Sequence, residues 1–138
     1  MSDAPVPNRV LVWVLRIVLV AEAVLVVGVA VWFLMELLTA TPASFASAVA
    51  IFVILVIAAV FVCAIAVGAA RGASWIRGAA FTWQLIQLAI AVGAFQGLYA
   101  QPAIGWALIV PSVLVMVLLV LPTVRVAFAP APSVADEG

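Results

Sequence analysis

Residues 45–69 (FASAVAIFVILVIAAVFVCAIAVGA) form an unbroken apolar run without one charged side chain. A helix needs roughly 20 such residues to cross the hydrocarbon core of a bilayer, whereas a barrel strand alternates apolar and polar positions. The run predicts a membrane-spanning helix over 45–69. Three other segments repeat the pattern. Residues 17–35 lie between Arg16 and Glu36 and are interrupted only by Glu22; with the preceding VLVWVL they predict a helix over 9–38. The segment TATPAS (39–44) then reads as a turn, because Pro42 and the hydroxyls interrupt helix propagation.

The next interruption, ARGASWIRG (70–78), carries two arginines and two glycines and predicts a tight hairpin. Beyond it a third helix is expected over 78–99, the most polar of the set with Thr82, Gln84, Gln87 and Gln96. A fourth follows over 104–122, with Pro111 near its middle. The fold class expected is all-α, a polytopic membrane protein built as a four-transmembrane-helix bundle. That bundle takes up residues 1–124 as one domain. The segment 125–138, ending in APAPSVADEG, has nothing to bury and is expected to be a disordered tail.

Composition supports this reading and excludes others. The chain of 138 residues is 70% apolar and 7% charged, with a mean hydropathy of +1.49. An average soluble domain is about half apolar and about a quarter charged, so this chain has too few charges to cover a surface facing water. Five basic and five acidic residues give no net charge, and nucleic acid is excluded as a partner for want of a basic face. With no histidine and a single cysteine, Cys63, the chain lacks the ligands of a metal site and cannot form an internal disulfide. No cofactor is expected. No enzyme is expected either, since without a histidine and with five acids the chain offers no paired-carboxylate or histidine-based site for a membrane transferase.

All five basic residues are arginines: Arg9, Arg16, Arg71, Arg77 and Arg125. With four crossings they fall on one side, and positively charged short loops are retained in the cytoplasm. Both termini are therefore expected in the cytoplasm, and the protein in the plasma membrane. Trp32, Tyr99 and Trp106 would line the outer interface and Trp13 and Trp75 the inner one. Arg16 is expected to snorkel to the inner headgroups. The Ala46-Ser47-Ala48 pattern could mark signal cleavage, but the preceding apolar run is longer than a signal core and contains Glu22, so helix 1 is expected to be retained.

An ionisable side chain inside a span costs on the order of 2.5 to 3.5 kcal/mol on insertion scales, which singles out Glu22. It follows Arg16 by six residues, as Gln84 follows Arg77 by seven. At 1.5 Å per residue the two depths agree within one helical turn. Gln87 shares the face of Gln84, and Ser112 approaches the same depth from helix 4. A buried polar layer of Glu22, Gln84, Gln87 and Ser112 is expected, with Gln96 about two turns further out. One reading makes the layer a fastening between helices. The other makes Glu22 the proton or cation site of a small transporter or channel, working as a dimer. A third reading takes Arg71, Trp75 and Arg77 as a hairpin that recruits a partner. Gly93 with Gly97, and Ala64 with Gly68, offer small-residue faces for close packing, within the monomer ahead of dimerisation. Pro111 predicts a static kink in helix 4, with Ser112 serving the carbonyl it frees.

Residues 19–27 (LVAEAVLVV) are similar to the first helix of the small multidrug resistance transporters, but the aromatic and glycine pattern of that family is missing from the second and third helices. The hairpin and third helix, RGASWIRGAAFTWQLIQLAIAVGAFQG (71–97), with LPTVR (121–125) closing the fourth, resemble small four-helix integral membrane proteins of high-GC Gram-positive bacteria. The absence of lysine fits such a genome. The resemblance covers about half the chain and implies the four-helix fold without an activity. The function expected is that of a structural or accessory membrane subunit. Its partners would be the lipid bilayer and a second copy or a larger membrane complex.

Overall fold

The structure is a computed structural model that describes residues 6–97 and 100–131. It is all-helical: α1 (Arg9–Thr39), α2 (Phe45–Ala70), α3 (Ile76–Ala94), α4 (Pro102–Val120) and a short α5 (Pro122–Ala127). Three of these, α1, α2 and α4, are long and apolar enough to cross a membrane. Helix α3 has the same length as α4 but carries Arg77, Thr82, Gln84 and Gln87, and falls outside that class.

Local chemistry sets the helix ends. The Asn8 side chain accepts from the backbone of Val10 at 3.1 Å and Leu11 at 3.4 Å, and the Ser44 hydroxyl accepts from Ser47 at 3.4 Å. Each gives a partner to first-turn amides that lack one within the helix. Helices α4 and α5 both begin on proline, whose missing N–H costs nothing in a first turn. Helix α2 ends in a Schellman motif: Ala73 donates to Gly68 at 2.9 Å and Gly72 to Ala69 at 3.2 Å. Gly72 supplies the left-handed residue that motif needs, at φ 69°.

Several expected boundaries shift. Helix α3 ends at Ala94, not at 99, because Gln96 turns back to Gly93 and Gly97 adopts a left-handed φ of 92°. Tyr99 and residues 132–138 lie outside the described residues. The expected disordered tail from 125 is corrected at its start: α5 runs through Arg125, and Val124 and Phe128 are fully buried. Leu121 is extended at ψ 130°, as a residue before proline prefers, so the chain turns there and lays α5 back on the protein.

Helix α1 packs along α2 and α3 along α4, giving two hairpins. Contact between the hairpins is sparser, α2 against α3 and α1 against α4, and α5 touches both α1 and α4. Among the described residues, α1 and α3 have no Cα pair within 8 Å, so they stand diagonally opposite. The core is one-sided. Leu15 and Leu19 of α1 meet Val62, Ile65 and Ala69 of α2, Ile76 and Ala80 of α3, Val115 of α4, and Phe128. All come from the end where Arg16, Arg71, Arg77 and Arg125 lie. Toward the other end little is buried: Ala30, Ala91 and Gly105, and no residue of α2 before Val62. Many of the exposed side chains there are large and apolar, among them Val24, Leu25, Trp32, Ile51, Ile54 and Val60, more apolar surface than a protein in water ordinarily presents.

The small-residue faces behave differently from expectation. A Cβ on Gly93 would meet nothing within 4 Å, and Gly97 stands beyond the end of α3, so this pair packs no helix of the monomer. Gly68 is needed for another contact. A Cβ there would run into Ile76 and would stand 2.8 Å from the Trp75 ring, so glycine lets the hairpin fold onto α2.

Candidate functional site

The buried stripe of α3 is Ile76, Ala80, Trp83, Gln84, Gln87 and Ala91. Steps of three and four keep these residues on one helical face. That face therefore turns two glutamines inward, where each must find a partner inside the protein. Gln84 is 0% exposed and Glu22 7%. The Gln84 amide nitrogen donates to both carboxylate oxygens of Glu22, at 3.0 Å to Oε2 and 3.4 Å to Oε1. The bond crosses the diagonal between α1 and α3, so the reach comes entirely from the two long side chains.

One turn along α3, Gln87 Oε1 accepts from the Ser112 hydroxyl of α4 at 2.7 Å. Of the two roles expected for Ser112, a place in the polar layer and service to the carbonyl freed by Pro111, the structure shows the first. Its hydroxyl is directed instead to Gln87, because that amide is buried and needs a donor. The four polar residues are buried and bonded as two pairs: Glu22 with Gln84, and Gln87 with Ser112. Gln96 is exposed beyond the end of α3 and takes no part.

Trp83 was missed. It is buried beside the layer, in an edge-to-face contact with Phe61 of α2 at 6.3 Å between ring centroids. Its indole N–H is buried without a hydrogen-bond partner among the described residues. Gln84 Oε1 is likewise buried without a donor. Nothing in the sequence marks Trp83 as internal, since tryptophan is as much at home on a membrane surface as in a core. On the far side of the layer an apolar cleft of about 240 Å³ separates the hairpins, with Leu25, Val29, Ile54 and Leu108 on its walls and Trp83 and Gln87 at the layer.

Among the described residues, one arginine is hydrogen-bonded to another helix. Arg16, expected to reach for headgroups, donates from Nε to the Ala69 carbonyl at 2.9 Å and lies 5.7 Å from the Trp13 ring. It supplies positive charge to the C-terminus of α2, where carbonyls lack helical partners. Arg9, Arg71 and Arg125 are exposed, and Arg77 is half-buried. Among the described residues no group of three or more potential metal-ligating side chains occurs. What the arrangement offers chemically is hydrogen bonding between helices, centred on one carboxyl.

No family model matches this sequence, and no curated protein or solved structure is significantly similar to it.

Proposed function

We propose that the protein is a four-span plasma-membrane protein with both termini in the cytoplasm, acting as a structural or accessory subunit whose polar layer holds its two hairpins together. The observation that carries this reading is the Glu22–Gln84 hydrogen bond, which joins the two hairpins across the diagonal between α1 and α3. Placing α3 as the fourth span is supported by where its polar groups point. Gln84 and Gln87 are turned inward and bonded, while Leu85, Ile86, Ile90 and Val92 are exposed. The gathering of arginines at one end favours a cytoplasmic position for that end. The exposed apolar flanks of α1 and α2 beyond the layer leave surface for lipid, for a second copy or for a larger membrane complex.

A second reading, a proton-linked transporter or channel working as a dimer, draws on the cleft that opens toward Gln87 and on the unpartnered Trp83 Nε1 and Gln84 Oε1. Reconstitution into vesicles under a proton gradient separates the two. The accessory reading expects the wild-type protein and Glu22→Gln to give the same proton flux as empty vesicles. Flux with the wild-type protein that disappears in a well-folded Glu22→Gln variant would establish the transport reading instead.

A further inference from the structure

We propose that the recess between α3 and the α4–α5 corner binds the phosphate of an anionic lipid, held between Arg77 and Arg125. Two adjoining hollows, of about 450 and 310 Å³, share these two arginines. The first is walled by Phe81, Leu119 and Val120 and also lined by the Thr82 hydroxyl. Among the described residues no carboxylate lines either hollow. Arg77 is half-buried, and its Nε is covered and has no hydrogen-bond partner among the described residues. This distinguishes it from Arg16, whose Nε is committed to a carbonyl.

Two guanidinium groups facing one recess repel each other until an anion lies between them, and a phosphate suits their planar forks of donors. The apolar wall decides between a soluble phosphate and a lipid. Thr82 lies five residues beyond Arg77, about 7.5 Å further along the helix axis. A ligand with its phosphate at the arginines therefore passes the hydroxyl at the depth of a glycerol ester and meets Phe81 and Val120 with its acyl chain. Basic pockets between spans on the cytoplasmic side favour anionic headgroups for this reason. The inference rests on the membrane reading above and not on the accessory role.

The test is native mass spectrometry of the full chain released from nanodiscs of phosphatidylcholine containing phosphatidylglycerol. The expected result is retained phosphatidylglycerol for the wild-type protein. Affinity should fall roughly 30-fold in Arg77→Gln/Arg125→Gln, about 1 kcal/mol for each arginine removed, and stay unchanged in Arg71→Gln. Arg77→Lys/Arg125→Lys, which keeps the charge and the topology signal, should lose part of the affinity and guards against a misinserted double variant. Equal binding by the double variant, or an equal loss in Arg71→Gln, overturns the proposal. Displacement by millimolar inorganic phosphate would assign the recess to a soluble anion and overturn the lipid assignment. A wild-type chain that does not enter nanodiscs would refute the membrane reading, whereas one that enters but retains no phosphatidylglycerol refutes only this inference.

Discussion

Gln84 donates to the carboxylate of Glu22 at 3.0 Å although the helices that carry them have no Cα pair within 8 Å. The bond is therefore a strut across the middle of the packing and not a by-product of close helix contact. Removing the amide should expose its cost. Gln84→Leu leaves a buried carboxyl without its donor, and a loss of about 1–3 kcal/mol is expected, read as a lowered unfolding midpoint in detergent micelles.

The second pair of the layer should be weaker. Ser112→Ala removes the 2.7 Å bond to Gln87, and intramembrane hydrogen bonds of this kind are worth about 0.6 kcal/mol on average and at most about 2. A double-mutant cycle with Gln87→Leu is expected to give a coupling in that range. The same cycle between Ser112 and Trp75, which lies in the hairpin loop away from the layer, should give none.

Close packing makes opposite predictions for two glycines on different helices. Gly68→Ala pushes a methyl into Ile76 and the Trp75 ring, so despite the better helix propensity of alanine a net loss of about 1–3 kcal/mol from overpacking is expected. Gly93→Ala meets open space and should be neutral or stabilising by up to about 1 kcal/mol. Thermal unfolding of both variants side by side checks the contrast.

The C-terminal corner is predicted to be structural as far as Phe128. A chain ending at Ala131 should unfold at the wild-type temperature. Phe128→Ala empties a fully buried site and should cost about 3 kcal/mol or more. A truncation before Pro122 removes Val124 as well and should be less stable still.

The parts of this fold that could be read from the chain were those marked by polarity. The limits of α2 are legible to within one residue because an uncharged run ends at Arg71 and starts after Ser44. The polar layer is legible because Glu22, Gln84, Gln87 and Ser112 are rare polar residues in apolar helices, and counting from the flanking arginines brings them within reach of one another. What stayed hidden was set by packing between apolar groups. In lipid the outer face of a helix is as apolar as its inner face, so periodicity marks no buried side in α1, α2 or α4. The one-sided core around Leu15, Ile65 and Val115 therefore left no trace. The early end of α3 depends on the left-handed Gly97 in a stretch, GAFQGLY, that reads as helix. The α5 corner was hidden by its own length, six residues between a proline and an APAP segment. The Arg16 bond to Ala69 depends on two chain segments meeting, which no local pattern records.

Whether the polar layer is a fastening is tested most directly by the stability of Glu22→Gln against the wild type, measured by reversible unfolding in lipid-detergent mixtures. A glutamine at 22 can still accept from the Gln84 amide and can return a donor to Gln84 Oε1, which has no partner now. It also removes an ionisable group from a buried site. If the layer is a fastening, the variant should be as stable as the wild type or more stable by up to about 2 kcal/mol. A loss of more than about 1 kcal/mol would show that the carboxylate itself is required, and would contradict a fastening in which a neutral amide can replace Glu22.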